Sequence, residues 1–210
     1  MKIVGSLPLF ILIALFVSGC SVPRVSNTAR TAVEQQLLST VIERCIRLAD
    51  FSDYRGKKVY MDYTYLDTQT DKIYIQGFLQ HYLAEQGIQY VSNIDTSEYI
   101  IQPTSGVLAT DQRRILIGTP PLPIPLPELG ISLVVPEVAL FSKQTRVAYA
   151  RFSFNIMRTE GRVPDRSITG INTSAEYCDW IILLYPFVSH NLPHPDPYEV
   201  PHDFFFTAYW

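Results

Sequence analysis

Residues 144–158 read QTRVAYARFSFNIMR, in which Ala148, Ala150, Phe152, Phe154 and Ile156 alternate with Tyr149, Arg151, Ser153 and Asn155. Side chains of a strand point to opposite faces at successive residues. A run this long with one apolar face is therefore expected as a β-strand lying on a core. The turn segment TEGRVPD follows, then RSITGINTS, so residues 144–174 are expected as one long antiparallel hairpin. Whatever else the chain does, it has to build a sheet around this hairpin.

Upstream the period changes. In residues 28–49, TARTAVEQQLLSTVIERCIRLA, Val33, Leu37, Val41, Cys45 and Leu48/Ala49 recur at spacings of three and four, and Leu38 and Ile42 widen the stripe. That predicts an amphipathic helix over Thr28–Ala49, with Asn27 or Thr28 to cap its first amides. Next, in KKVYMDYTYL, Val59, Met61, Tyr63 and Tyr65 alternate with polar partners as a strand does, and Asp67–Asp71 supply a turn. Asp71 would cap a helix over KIYIQGFLQHYLAEQG that Gly87 stops, and IQYVS follows as a second strand. Such a βαβ unit makes its two strands parallel. EYIIQPTSGVLAT continues the sheet, and RRILIGT adds a separate short strand. The expected class is α+β: an N-terminal helix and a βαβ unit followed by a mostly antiparallel sheet, arranged as an α/β two-layer sandwich.

The chain opens MKIVGSLPLFILIALFVSGC, with one basic residue, an apolar core from Leu9 to Val17, small residues at Ser18 and Gly19, and Cys20. A core this short falls below the roughly 20 residues a spanning helix needs, so residues 1–19 are expected as a secretory signal. Val17-Ser18-Gly19-Cys20 resembles the bacterial lipobox. That resemblance implies that Cys20 receives a diacylglyceryl group, that the preceding peptide is cleaved, and that the new amine is acylated, for example with palmitate. Several acyl chains at roughly 0.8 kcal/mol per buried methylene would hold the protein on a membrane without crossing it. Ser21, where an inner-membrane lipoprotein would usually carry Asp, implies the outer membrane facing the periplasm. The expected organisation is then signal 1–19, lipidated tether 20–27, one domain over 28–185 and a Pro/aromatic-rich tail over 186–210.

A formal net charge of −3 without a basic run argues against nucleic acid as a partner. Cys45 and Cys178 would remain in an oxidising compartment, where they could form one disulfide or stay separately buried thiols. No nucleophile-elbow, metalloprotease, P-loop or dinucleotide pattern is present, and no cofactor is implied. His190, His194 and His202 lie near Asp196 and Asp203, a possible ligand set for zinc or copper, but Pro193 and Pro195 forbid the helix that would align them. Asp62, Asp67 and Asp71 surround the first strand's end, where α/β proteins often place catalytic acids, but turn and cap chemistry explains Asp67 and Asp71 without any function.

Two apolar segments stand out as partner-binding candidates. In TPPLPIPLPELG, residues 119–130, prolines alternate with Leu122, Ile124 and Leu126. An extended proline run of period two removes every donor along one edge, so the segment could pair on one side only and would blunt a sheet edge; a partner-binding or membrane-touching loop is the alternative. The terminal HDFFFTAYW offers Phe204, Phe205, Phe206 and Trp210, as a docked strand or a contact surface.

Thr28-Ala29-Arg30, the Gly56-Lys57-Lys58-Val59 strand start, Leu66-Asp67 and the Asp71-Lys72 helix start together resemble a family of bacterial lipoproteins classed as a domain of unknown function. More distantly, a helix, a βαβ unit and then antiparallel strands is similar to periplasmic domains of envelope-assembly lipoproteins such as the curli secretion channel. The family has no assigned activity to transfer; the anchor signal beside an absence of catalytic motifs sets the expectation of a non-enzymatic structural or envelope-assembly component with an envelope protein as partner. A lipoprotein hydrolase with an unrecognised site, or a lipid- or glycan-binding module, is the alternative expectation.

Overall fold

The computed structural model describes residues 30–66, 71–126, 131–193 and 206–208. The chain divides into two units, Met1–Thr31 and Ala32–Trp210, and the first lies outside the described residues but for Arg30 and Thr31. The expected signal, Cys20 and the tether fall there.

The fold is mixed α+β and mostly strand. Helix α1 is Ala32–Arg47, β1 is Lys58–Met61, α2 is Lys72–Glu85 and β2 is Gln89–Tyr90. Then come β3 (Tyr99–Thr119), β4 (Leu122–Leu126), β5 (Ile131–Val135), β6 (Val138–Arg158), β7 (Pro164–Ile182), β8 (Tyr185–His190) and β9 (Phe206–Ala208). Among the described residues, seven strands form one sheet in the order β2-β1-β3-β6-β7-β8-β9, while β4 and β5 pair only with each other. β1 lies parallel to β2 and β3, as the expected βαβ unit requires, and β3, β6, β7 and β8 run antiparallel in turn.

One face of β6 is the foundation. Ala148, Ala150, Phe152, Phe154 and Ile156 are buried, in line with the alternation that predicts the strand. Against them lies the apolar stripe of α1, with Leu37, Val41, Ile42, Cys45 and Ile46 fully buried. The Cys45 thiol approaches the Ile171 carbonyl at 3.3 Å, and Thr173 Oγ1 donates to the Val41 carbonyl at 2.9 Å. Phe51 bridges to α2, meeting Phe154 edge-on at 5.2 Å and Tyr82 at 6.3 Å. Burying each such side chain contributes roughly 1.5–3 kcal/mol, so this cluster holds the body together. Gly87, at φ +74, gives the left-handed turn that ends α2 and returns the chain to β2.

Several boundaries differ from expectation, each for a physical reason. The helix begins at Ala32, not Thr28. Asp71 occupies the N-cap position of α2 but makes no side-chain cap bond. β1 stops at Met61 because the Asp62 carboxylate accepts from the backbone and hydroxyl of Thr64, folding residues 62–65 into a turn. Segments 98–110 and 113–119 are not two strands but one of 21 residues, β3. The expected hairpin of 144–174 extends at both ends, to Val138 and Ile182. Residues 186–190, in the expected tail, belong to β8 and pair with β7 despite Pro186.

Pro103 marks a change in the sheet. Asp62 N–H donates to the Ile101 carbonyl at 2.9 Å, so Ile101 turns its hydrogen-bonding groups toward β1, and Pro103, two residues on, turns the same way. β1 has ended there, so proline's missing donor costs nothing. Beyond Thr110, whose hydroxyl donates to Glu34 of α1 at 3.3 Å, β3 has no buried residue, and the strands continue as an arm. At 3.3 Å per residue the 21-residue β3 and β6 are about 70 Å long, much of it outside the body.

Candidate functional site

Among the described residues, the candidate acid Asp62 is engaged in holding the fold. Asp62 accepts from Gln102 Nε2 at 2.8 Å, and Asn155 Nδ2 donates to Gln102 Oε1 at 3.3 Å. Burial works against ionisation of Asp62, but the bonds from Thr64 and Gln102 outweigh it and hold the carboxyl below its ordinary value. These bonds make Asp62 an anchor of the turn. These bonds favour the folded chain above the unfolded value of about 3.9 and are lost as pH falls through the lower folded value. Asp62→Asn is accordingly expected to lower the urea midpoint near neutral pH, with the gap to the parent closing as pH falls below the ordinary carboxylate range.

At the start of β7, the Tyr54 hydroxyl donates to Asp165 at 2.8 Å, Arg158 pairs with Asp165 at 3.3 Å, and Arg166 pairs with Asp53 at 2.7 Å. Burial, and then the Asp165 carboxylate, push the Tyr54 phenol well above its usual range, so it stays protonated as a donor. This network ties the turn Ser52–Tyr54 to the start of β7. An open groove of about 510 Å3 beside α1 and α2 is lined by Ala32, Gln35, Gln36, Ser39, Asp71 and Tyr74. Ser39 there donates to its own helix at Gln36 O, and Asp71 is the one carboxylate among the lining residues. Among the described residues no group of three or more His, Cys, Asp or Glu is placed to hold a metal ion. His190 stacks on Tyr177 with ring centres 5.8 Å apart, while His194, His202 and Asp67 lie outside the described residues.

Cys45 and Cys178 are both buried free thiols. They sit on opposite sides of the sheet: Cys45 under α1, and Cys178 beside Thr145, one residue out of phase with core residue Tyr177. The disulfide alternative therefore gives way to two separate buried thiols.

What distinguishes the molecule is the far end of the arm. Register brings Ile117, Phe141 and Ile182 side by side across β3, β6 and β7. Leu183 and Leu184 make the two-residue turn to β8, and the Leu183 N–H donates to the Leu140 carbonyl at 2.8 Å. Around this point Ile115, Ile117, Leu140, Ile182 and Tyr185 are exposed, and Leu183 and Leu184 are 77% and 66% exposed. The turn itself is strained, with φ of +50 at Leu183 and +68 at Leu184. Two-residue hairpins of this kind favour Asn-Gly, because bulky side chains resist positive φ. Strain and exposed apolar surface in one place are each costly, and their coincidence is typical of a contact site. No turn-forming residue marks IILLYPF, so sequence reading passed over it. The readable signal was a pair of leucines where two strands must reverse.

The proline segment lies beyond this tip. β4 and β5 pair in the register Leu122↔Val135, Ile124↔Leu133 and Leu126↔Ile131. Proline has no N–H, so the donors of β4 in this ladder are Leu122, Ile124 and Leu126, and the outer edge retains acceptors only. Leu122 and Ile124 are exposed. Pro123→Ala with Pro125→Ala restores outer donors, and increased self-association on gel filtration is the expected result. At the junction, a Cβ on Gly118 would stand 2.1 Å from the Val138 carbonyl oxygen, so no other residue fits there. Phe206, of the terminal aromatic set, begins β9, which pairs parallel with β8, whereas Phe204, Phe205 and Trp210 lie outside the described residues.

No protein-family model matches the chain, and no curated protein sequence matches it. Its function therefore has to be argued from its own residues. Among those described, no helix is long and apolar enough to cross a membrane.

Proposed function

We propose that the protein is a non-enzymatic, lipid-anchored component of the bacterial cell envelope, held through Cys20 in the outer membrane facing the periplasm, and that the tip of its β-arm docks onto another envelope protein. The observation that carries the docking is the strained, exposed Leu183-Leu184 turn set among Ile117, Leu140 and Ile182. In this reading the body is an α/β two-layer sandwich with its N-terminal helix on one face, a rigid mount that projects the arm. The lipobox-like Val17-Ser18-Gly19-Cys20 supports the anchor. The candidate acids and phenols engaged in structural bonds favour a binding role over hydrolysis.

A photo-reactive residue in place of Leu184 tests the docking. One discrete protein adduct in intact cells is expected; adducts to lipid alone, or none, overturn it. The anchor has a separate test. Cys20→Ala should leave the chain in the soluble periplasmic fraction, and membrane retention of that variant counts against lipidation.

A further inference from the structure

The free edge of β3 carries a second surface, remote in kind from the apolar tip. β1 ends at Met61, opposite Ile101, and among the described residues no strand lies along the outer side of β3 from Pro103 to Thr119. Proteins usually protect such an edge with prolines, lysines or bulges. Here one bulge falls at Ser105/Val107, near the body, and residues 107–117, VLATDQRRILI, contain neither proline nor lysine.

Register fixes which residues offer hydrogen bonds outward. Ile101 faces away from β6, and Pro103 and Ser105 share its orientation opposite Phe154 and Phe152. After the bulge, Leu108 opposes Ala150, Thr110 opposes Ala148 and Gln112 opposes Arg146, all in phase with Phe152 along an uninterrupted β6. Leu108, Thr110, Gln112, Arg114 and Leu116 therefore aim their N–H and C=O groups into the open side.

Read about Gln112, the edge is complementary to itself. An antiparallel copy with a two-fold axis at Gln112 places Asp111 opposite Arg113 of the second chain and Arg113 opposite Asp111. The same register sets Leu108 against Leu116 and Val107 against Ile117. Asp111 and Arg113 are both exposed, and neither has an ion-pair partner among the described residues. Moving the axis by one residue sets Asp111 against its own copy, or Arg113 against its own copy, and like charges directly opposite are unfavourable. Moving it by half a residue opposes outward-bonding residues to inward-bonding ones, and the ladder cannot form. We infer that two copies of this chain associate through β3, antiparallel, with Gln112 at the axis and reciprocal Asp111–Arg113 pairs specifying the register. The interface is isologous, so it closes as a dimer and exposes no further edge of the same kind.

Sedimentation of the full chain in detergent, with micelles in excess over protein, tests this. The parent chain is expected to dimerise. Asp111→Arg and Arg113→Asp, each creating two like-charge contacts by symmetry, should weaken dimerisation on the order of tenfold. The double variant Asp111→Arg/Arg113→Asp should restore it. Under mild oxidation Gln112→Cys should yield a disulfide-linked dimer, since facing Cα atoms about 5.5 Å apart lie within disulfide range, while Glu176→Cys in mid-sheet should not. A parent that stays monomeric, a dimer indifferent to the charge reversals, a double variant that fails to recover, or no cross-link at residue 112 would each overturn the inference. Failure of the tip to dock leaves all these readings unchanged, so the two proposals stand or fall separately.

Discussion

Replacing Leu183 with Asn and Leu184 with Gly raises the unfolding temperature and abolishes the adduct at the tip, now read from a photo-reactive residue at Tyr185. Both leucines hold positive φ, a conformation that costs on the order of 1–3 kcal/mol for a bulky residue, and Asn-Gly adopts it without strain. At about 2–4 °C per kcal/mol for a domain of this size, the expected gain is about 5 °C. Stability and docking move in opposite directions because the leucines stay exposed in the folded chain and serve a contact outside it. A variant that loses stability would show that the turn is held by packing, and one that keeps its adduct would move the docking surface elsewhere.

Phe154→Ala is expected to cost about 3–5 kcal/mol, read as a lower urea midpoint at unchanged slope. The ring is fully buried, meets Phe51 edge-on at 5.2 Å, and stands opposite Pro103 and Ile168 in the sheet. Its loss leaves a cavity where α1, α2 and the sheet converge. Tyr149→Ala, on the exposed face of the same strand, is expected to change stability by less than about 0.5 kcal/mol. Equal effects at the two positions would mean that β6 does not have one buried face.

How far the sequence could be read follows the same division between covered and bare sheet. Under α1, burial on one side enforces alternation, so Ala148 to Ile156 announce a strand and even its inward face. In the arm that pressure is gone. Asp111-Gln112-Arg113-Arg114 carry polar groups on both faces, and the run looked like a break between two strands although the backbone continues through it. Local side-chain bonding explains another miss: Tyr63 and Tyr65 keep the strand period, yet Asp62 bends the chain first. The candidate site was the least legible part, because an exposed Leu-Leu turn violates the rule by which turns are recognised. The proline segment was better anticipated, since a donor count requires no tertiary knowledge. Among the described residues its pairing with β5 alone is what a one-sided strand permits.

β6 is bonded on both sides for nearly its whole length, to β3 from Val138 to Arg158 and to β7 from Phe141 to Met157. A pull applied between the tip and helix α1 runs along these strands and loads both ladders in shear. Rungs strained together yield only when many break at once, whereas a pull across the strands would open them one by one. The arm is thus suited to carry tension along its axis, and its weak direction is sideways, by peeling at the open side of β3.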